Sequence, residues 1–296
     1  DEVRIMKRNA IARIIIWSLV DVLLTSLLVV GISSSPSSFF TGDWSSGIIG
    51  VTYKNSARYN VGGGTVTDEF HSIKVNWTNG KINIEAYDGE DTVISETEVA
   101  EKENKLRWRV EDGVLKIQQM AAGMRFGLKQ TPKKTLTVKI PSNVAEGLKA
   151  VTSDSVSAEV TITGISASDK IEIDTVSGGA NLKNIKTEKL DIDTVSGNIK
   201  AAGEFTELES DSVSGDITVS SAVPLEKLDC DSTSGNIRLT IPKDSGFTLK
   251  ADTVSGDISC GLPTVSESKN RRVCGDGSAD FETDTVSGDL IITSAE

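Results

Sequence analysis

The residues with the greatest chemical capacity in this sequence are aspartates that recur at a nearly constant spacing. Six of them head close variants of the pattern Asp-Thr/Ser-Val-Ser-Gly-Asp/Asn-Ile, which residues 211–217 show in full as DSVSGDI, and Asp154 heads a weaker copy with Ala158 in place of the glycine. Successive leading aspartates are 20, 19, 18, 20, 21 and 32 residues apart. In chain order they are Asp154, Asp174, Asp193, Asp211, Asp231, Asp252 and Asp284.

If these repeats stack in register, their aspartates form a ladder of carboxylates that repel one another unless solvent, ions or hydrogen bonds intervene. One interpretation is a row of cations such as Ca²⁺, each bridging an aspartate and the Asp or Asn five residues later. The other is structural, with each carboxylate accepting a hydrogen bond from a nearby Ser, Thr or backbone N–H at the corner. We favour the structural interpretation, because the calcium-binding repeat of β-rolls is nine residues long and glycine-rich. The sequence therefore predicts no metal and no cofactor.

Side chains that could bind zinc or catalyse a reaction are scarce. The chain has one histidine, His71, and three cysteines, none of them in a CxxC pair. A zinc site of the usual type needs four Cys or His ligands at short spacings. Catalysis needs acids and bases of different sequence origin to converge in one groove, whereas these acids repeat regularly. We predict that the protein is not an enzyme, with a polysaccharide-active β-helix enzyme as the remote alternative.

Each repeat offers two apolar positions around a polar corner. From Asp174 onward an apolar residue lies three positions before each aspartate, as Leu208 does, and another lies six positions after it in nearly every copy, as Ile217 does. One unit buries too little to offset its ordering entropy, but stacked units share a continuous core. The glycine of each Ser-Gly pair allows a turn where a side chain would clash.

These features predict an all-β fold in which residues 151–296 form a parallel β-solenoid. It would have about seven coils of 18–21 residues. The alternative that we favour less is an antiparallel meander in which each Ser-Gly-Asp/Asn is a hairpin turn.

Residues 67–150 are predicted to be a β-rich N-terminal part of the same solenoid. Residues 71–77 alternate, with Ile73, Val75 and Trp77 on one face, and Asn79-Gly80 follows as a strong hairpin-turn signal. Further short strands are predicted at 106–110, 114–117 and 136–140, and Pro141 would end the last of them.

The N-terminus carries a membrane signal. Residues 14–32 form an apolar run of 19 residues, close to the length that crosses a bilayer as a helix, with Asp21 as its one charge. Four basic residues precede it, which places residues 1–13 in the cytoplasm. We predict a retained, single-pass transmembrane signal anchor; a cleaved signal peptide is the alternative. Residues 33–66, rich in Ser and Gly, are predicted to be a flexible linker.

Charge narrows the choice of partners. The net charge is −12, and residues 151–296 hold 26 acidic and 12 basic residues, a net of −14. A surface this acidic repels nucleic acid, which we exclude as a partner. The densest basic cluster of this half lies in the long gap before Asp284, so Lys269, Arg271 and Arg272 are candidates for a partner-binding loop. A tolerated surface loop is the alternative.

The three cysteines are Cys230, Cys260 and Cys274. Cys230 directly precedes an aspartate, where other repeats have an inward isoleucine, so we expect it to be buried. Cys260 and Cys274 flank the insertion, 14 residues apart. We predict that they form a disulfide and leave Cys230 free; three free thiols are the alternative.

The DTVSGDI repeats, the N-terminal hydrophobic segment and the closing Gly275-Asp276-Gly277 and 284–290 segments resemble a bacterial family of unassigned function. That family is labelled "putative adhesin" or β-strand-repeat protein of envelope-stress operons, and the likeness covers roughly residues 70–296. The resemblance implies a cell-surface domain without established catalytic residues.

We therefore predict a single-pass cell-membrane protein whose extracytoplasmic β-solenoid is a non-catalytic binding or sensing module at the bacterial envelope. Its partner would be an unidentified envelope or surface ligand, or a membrane protein. The alternative function is that of a structural accessory protein in an envelope-stress regulatory system.

Overall fold

The computed structural model describes residues 58–97, 101–120, 133–268 and 270–295, and most of them are in β-strands. The all-β prediction is confirmed. The predicted cytoplasmic segment 1–13, the predicted anchor 14–32 and most of the predicted linker lie outside these ranges. Within the described ranges, no helix has the length and apolar character needed to cross a bilayer.

In the described residues of the N-terminal part there are seven strands and one short helix. They are β1 (Asn60–Val61), β2 (Gly64–Val66), β3 (Ser72–Tyr87), β4 (Thr92–Glu96), β5 (Arg107–Glu111), β6 (Val114–Gln118), β7 (Lys134–Pro141) and α1 (Ser142–Ala145). A 3₁₀ turn covers Lys102–Asn104. As predicted, the extended run that begins near residue 136 ends at Pro141, and α1 follows at once.

The remaining strands build the repeats. They are β8 (Leu148–Thr163), β9 (Ser166–Thr175), β10 (Ala180–Ser196), β11 (Ile199–Ser214), β12 (Ile217–Ser221), β13 (Lys227–Ser234), β14 (Ile237–Ile241), β15 (Phe247–Ser255), β16 (Ile258–Cys260), β17 (Thr264–Ser268), β18 (Arg271–Cys274), β19 (Ala279–Ser287) and β20 (Leu290–Ser294).

The repeats stack as a parallel β-solenoid. In each coil one strand segment precedes the Ser-Gly corner and a second follows it, and each segment pairs in parallel with its counterpart in the next coil. The register brings like residues together, so that Asp193 pairs with Asp174 on one side and with Asp211 on the other. An antiparallel meander would pair these segments in opposite directions, so that alternative is wrong for the repeats.

The last repeat in the sequence is not the last coil in the stack. Strand β19, which carries Asp284, pairs in parallel with β13 on one side and with β15 on the other. Strand β20 lies between β14 and β16 in the same way. The Asp284 coil therefore lies between the Asp231 coil and the Asp252 coil. The Asp252 coil comes earlier in the chain but forms the end of the stack.

The insertion between these two repeats is a β-hairpin. Strands β17 and β18 pair antiparallel, and β18 also pairs antiparallel with β15 over Phe247–Lys250. Because β15 already pairs with β19, it lies between two strands that are consecutive in the chain. The hairpin thus covers the outer edge of the last coil on the side that carries the aspartates.

The predicted inward columns form the core. The residues three before each aspartate are all buried: Ile171, Leu190, Leu208, Leu228, Leu249 and Phe281. The residues six after each aspartate are buried as well, except that Ile258 in the end coil is half-buried: Val160, Ala180, Ile199, Ile217, Ile237, Ile258 and Leu290. Cys230 is fully buried, as predicted, between Ser210 and Thr283 of the adjacent coils.

Glycine is required at the corners because adjacent corners nearly touch. A Cβ atom on Gly215 would lie 2.1 Å from the carbonyl oxygen of Gly197, and one on Gly235 would lie 2.1 Å from that of Gly215. Gly215 also has a φ of 142°, which residues with side chains rarely adopt. The steric role that the sequence predicts for these glycines is confirmed.

The N-terminal part begins the stack, but the predicted hairpin at Asn79-Gly80 is wrong. Strand β3 runs through both residues and pairs in parallel with β8, so Gly80 lies beside Ala158 at a solenoid corner. A Cβ atom on Gly80 would lie 2.0 Å from the carbonyl oxygen of Lys134, which explains a glycine there without a chain reversal. The predicted inward face of Ile73, Val75 and Trp77 is confirmed, because all three are buried.

Four strands close this end of the solenoid beyond β6 and β7. Strand β5 pairs antiparallel with β6, and β1 then pairs with β5. On the other side of the corner, β4 pairs antiparallel with β7, and β2 with β4. Both segments of the first coils are thereby covered.

Candidate functional site

Two columns of acidic side chains run along the outward side of the strands that precede the corners. The aspartate column contains, in stack order, Asp154, Asp174, Asp193, Asp211, Asp231, Asp284 and Asp252. The second acidic column lies two residues earlier in each strand and contains Glu172, Asp191, Glu209, Asp229 and Glu282. We call these two columns together the acidic face.

Basic residues flank the second acidic column at both of its ends. Its register continues through Thr152 to Lys74 and Lys116 in one direction, and through Lys250 to Arg271 in the other. The charge pattern along this line is therefore positive, negative and positive again, with the negative part in the repeats.

Within the acidic face, lysines neutralise the second column more than the first. Lys189 Nζ lies 2.8 Å from Asp191 Oδ2 and 2.7 Å from Glu209 Oε2. Lys170 Nζ likewise lies 2.5 Å from Glu172 Oε2. In the aspartate column the ion pair in the described residues is at its N-terminal end, where Lys74 Nζ is 3.2 Å from Asp154 Oδ2.

Burial, together with neighbouring carboxylates, raises the pKa of several aspartates in this column. Burial, together with the neighbouring carboxylates of Asp193 and Asp154, raises the pKa of Asp174 to about 8. Burial and the charge of Asp211 raise the pKa of Asp193 to about 7, and burial with the charge of Asp231 does the same for Asp211. Groups in this range change protonation near neutral pH, so the column can exchange protons without a histidine.

Backbone hydrogen bonds link members of the aspartate column along the stack. The backbone N–H of Asp211 donates to Asp193 Oδ1 at 3.2 Å, and that of Asp284 donates to Asp231 Oδ1 at 3.0 Å. The predicted hydrogen bonds from backbone N–H groups to the carboxylates are therefore present for Asp193 and Asp231. The donor belongs to the next coil and not to the same corner. In the described ranges no three His, Cys, Asp or Glu side chains are grouped to hold one metal ion. The absence of bound cations remains a prediction.

The Asp and Asn residues that follow the corner glycines form a separate column that is linked by hydrogen bonds from coil to coil. The backbone N–H of Asn236 donates to Asp216 Oδ1 at 2.9 Å, and that of Asp289 donates to Asn236 Oδ1 at 3.0 Å. This column is more exposed, and the hydrogen bond from the Asn236 backbone lowers the pKa of Asp216. Two acidic positions of one repeat thus differ, because one is buried among like charges and the other is solvated and hydrogen-bonded.

A column of mainly valine side chains borders the aspartate column. The residue two positions after each aspartate is Val in six of the seven repeats and Thr233 in the other. Val176, Val195 and Val213 are half-buried although they lie on the outward side of the strand. The acidic face therefore has an apolar margin next to the corners.

The structure separates the two described arginines of the predicted basic loop. Lys269 lies outside the described residues. Arg271 is exposed, whereas Arg272 donates to Glu267 across the hairpin at 2.9 Å and is half-buried. The two arginines lie in adjacent positions on β18, so they point to opposite sides of the hairpin. Their role in binding a partner remains a prediction.

The two cysteines of the predicted disulfide are brought together. Cys260 Sγ and Cys274 Sγ are 3.5 Å apart, with both thiols free. Cys274 is buried and Cys260 is half-buried. Formation of the bond remains a prediction.

Sequence reasoning found the aspartate column but missed the second acidic column. Its signal was present, because the residue two before the aspartate is Glu or Asp in each repeat from Asp174 to Asp231 and again in the last one. Residues two positions apart point to the same side of a strand, so this spacing predicts a second acidic column beside the aspartates.

Comparison with known proteins identifies relatives of the repeat region. A family model described as Toastrack DUF4097 matches residues 70–293. No curated protein sequence gives a significant match.

Several solved structures are similar to this chain at low sequence identity. A "putative adhesin" from Bacteroides fragilis is 13% identical, with 79% of this chain and 97% of that chain covered and a TM-score of 0.42. A "putative adhesin" from Parabacteroides distasonis is 14% identical, with 79% and 97% covered and a TM-score of 0.40. A "putative cell adhesion protein" from Clostridium sporogenes is 14% identical, with 80% and 100% covered and a TM-score of 0.34.

Proposed function

The chain belongs to the Toastrack DUF4097 family, and we propose that it is a non-catalytic binding or sensing module held at the outer side of a bacterial cell membrane. In this proposal residues 14–32 are the membrane anchor, and the acidic face of the solenoid is the surface that meets the partner. The partner is a protein or envelope polymer that presents repeated positive charge.

The observation that carries the proposal is the repetition of the acidic face. Seven aspartates and five further acidic residues lie in register on one side of the stack. An enzyme active site concentrates different groups at one place, whereas this surface presents the same groups at each coil. Such a surface suits a partner that contacts several coils at once.

Electrostatics indicates the sign of the partner's charge. Buried, neighbouring carboxylates keep the pKa of Asp174, Asp193 and Asp211 well above the ordinary value for aspartate. A cationic group placed beside them stabilises their ionised form and lowers those pKa values. Binding of a cation and release of protons are therefore linked, so that binding weakens as the pH falls. The half-buried valines along the margin offer apolar contact to the same partner.

Cell fractionation tests the location. The full chain is expected in the membrane fraction, and protease added to intact cells with a permeable outer layer should remove the solenoid. Recovery of a soluble form that begins near residue 33 would show instead that the N-terminal segment is cleaved.

Neutralising the acidic face tests the binding surface. We expect a variant with Asp191→Asn, Glu209→Gln and Asp229→Asn to lose adducts that a short chemical crosslinker forms between the full chain and its partner in cells. The control neutralises Glu159, Glu188 and Glu226, which are exposed and lie outside the two acidic columns. Equal adduct formation by both triple variants and the wild type would contradict the proposal.

A further inference from the structure

Two cysteines meet at the end of the stack, where the hairpin covers the Asp252 coil. Cys260 ends β16, the last strand of the end coil after its corner, and Cys274 ends β18 of the hairpin. Their sulfur atoms are 3.5 Å apart, although 14 positions of the chain separate them. A disulfide needs a sulfur–sulfur bond of about 2 Å, so small side-chain movements would join them.

The position of Cys274 gives such a bond a mechanical consequence. Its backbone pairs with Phe247 at the start of β15, and Ala279 at the start of β19 pairs with Phe247 from the other side. Between these two contacts the chain reverses through Gly275 and Gly277, both of which have positive φ. Strands β18 and β19 therefore hold β15 between them, with the reversal passing over its first residue.

Opening of this end requires β18 to separate from β15. The hairpin strand β17 pairs with β18 alone within the described residues, and its five residues are all exposed. It adds no apolar burial that would hold the hairpin down. A covalent link from Cys274 to the end coil would hold the hairpin in place in addition to the pairing of β18 with β15.

We propose that Cys260 and Cys274 are a redox modification site whose disulfide locks the hairpin onto the last coil and keeps the inserted coil in place. The inference rests on the proposed function in one respect, the extracytoplasmic location of the solenoid, because disulfides are stable there. The choice of Cys260 and Cys274 rests on the distance between their sulfur atoms.

The oxidation balances with an external disulfide as the oxidant. The Cys260 thiol loses a proton, attacks one sulfur of the oxidant and releases the other sulfur as a thiol. Cys274 then loses its proton, attacks Cys260 Sγ in the mixed disulfide and releases the second thiol. The two cysteines lose two electrons and two protons in total, and the oxidant becomes two thiols.

Cys260 is the residue that an oxidant reaches first. It is half-buried, whereas Cys274 and Cys230 are buried. Burial raises the pKa of the Cys260 thiol to about 11, so little thiolate exists at pH 7. Oxidation by a small disulfide should therefore be slow at pH 7 and about tenfold faster for each unit of pH up to 9.

The test uses the full chain in mild detergent, oxidised with glutathione disulfide and mapped by non-reducing peptide mass spectrometry. We expect one crosslinked peptide pair that contains Cys260 and Cys274, with Cys230 alkylated after unfolding. The oxidised protein should melt several degrees above the reduced protein. Trypsin cleavage after the exposed Arg271 should leave the two fragments joined until reductant is added.

The cysteines provide a matched control. Cys230→Ser should keep both the crosslink and the shift in melting temperature, because Ser210 occupies the equivalent position in the adjacent coil. Cys260→Ser should abolish both. A bridge that involves Cys230, glutathione adducts without the internal bridge, or an unchanged melting temperature on oxidation would overturn the proposal.

Rapid acid quenching and alkylation of cells that express the full chain separates this proposal from the proposed location. A bridged protein in cells supports both. A protein that bridges in vitro with the expected shift but has free thiols in cells supports the site and contradicts the extracytoplasmic location.

Discussion

The repeat stack and the N-terminal end of the solenoid share one apolar core but differ in what else stabilises them. The stack repeats one set of contacts, with an apolar residue before and after each corner and a glycine at the corner itself. The N-terminal end shares the same apolar core and adds a buried ionic cluster. There, Lys134 Nζ is buried 2.5 Å from Glu96 Oε2 and also donates to the backbone oxygens of Asn104 and Gln119, each at 2.6 Å.

This difference shows how a stack can both continue and stop. Identical coils offer an open edge to the next coil, so nothing in the repeat itself ends the series. Lys134 is the first residue of β7, and its Nζ lies 5.1 Å from the centroid of the Trp77 ring. Antiparallel strands end the solenoid here, and the buried lysine ties β7 to β4 and to the 3₁₀ turn, whereas apolar repetition extends the stack.

The strongest way to break the stack is to place a charge in its core. Leu208→Asp puts an unpaired carboxylate between Leu190 and Leu228, at a cost on the order of 5 kcal/mol or more. We expect loss of cooperative unfolding by circular dichroism. The control Thr218→Asp adds the same charge at an exposed position and should melt near the wild-type temperature. Equal stability of both variants would contradict the stacked core.

Removing the lysine tests the N-terminal end. Lys134→Met removes the cation from the buried Glu96 carboxylate, which keeps only the N–H of Leu106 as a donor among the described residues, and should cost roughly 3–5 kcal/mol in urea unfolding. The double variant with Glu96→Gln should recover part of this loss, because the uncompensated charge is gone. Additive losses in the double variant would show that the two side chains do not act as a pair.

A smaller effect is expected at the corners. Gly215→Ala brings a Cβ atom to 2.1 Å from the Gly197 oxygen and imposes a strained φ, which together should cost about 2–3 kcal/mol. Gly261→Ala is the matched control, because its Cβ would be 3.5 Å from the nearest atom. We expect the midpoint of urea unfolding to fall clearly for the first variant only, and similar midpoints would refute the steric explanation.

The stack was predictable from the sequence because its physics is local and periodic. The spacing of Leu208, Asp211 and Gly215 within one repeat determines which side chain faces inward, which faces outward and where the chain turns. Repetition then predicts that successive copies align. The burial of Cys230 followed from the same reasoning, since it occupies an inward position of the pattern.

The order of the last two coils was not predictable in this way. Every coil presents the same columns to its neighbours, so the Asp284 coil fits almost equally well at several levels of the stack. The long spacing of 32 residues indicated an insertion but not the level at which the chain returns. In the structure Phe281 stacks on Phe247 with ring centroids 4.3 Å apart, a contact between two repeats that the periodic pattern does not specify.

The N-terminal closure escaped prediction for a different reason. Lysine is among the residues least often buried, and the partners of Lys134 lie 15 to 38 residues away in the sequence. No short-range pattern joins them. The hairpin predicted at Asn79-Gly80 was wrong for a related reason. The sequence does not distinguish a glycine required by the close approach of a neighbouring strand from a glycine required by a hairpin turn.

The acidic face should make the repeat stack sensitive to pH in a direction opposite to ordinary acid denaturation. Burial raises the folded-state pKa of Asp174 to about 8 and that of Asp231 to about 6, above an unfolded value of about 3.9. Their protonated forms favour folding, so this stabilisation is complete below pH 4 and is lost as the pH rises through about 6–8.

We expect the melting temperature of the full chain to rise by a few degrees between pH 8 and pH 5. Asp193→Asn should raise the melting temperature at pH 8 and reduce its dependence on pH, because it removes one charge from the middle of the column. Stability that falls steadily from pH 8 to pH 5 would contradict the raised pKa values.

Binding of the partner to the acidic face is central to the proposed function. Site-specific photo-crosslinking in cells tests it directly, with the photoreactive residue placed at Val195 beside the aspartate column or at the exposed Lys200 on the strand after the corner. Crosslinks to a common partner from position 195, and few or none from position 200, are the predicted result. Equal crosslinking from both positions, or crosslinking from position 200 alone, would contradict the claim.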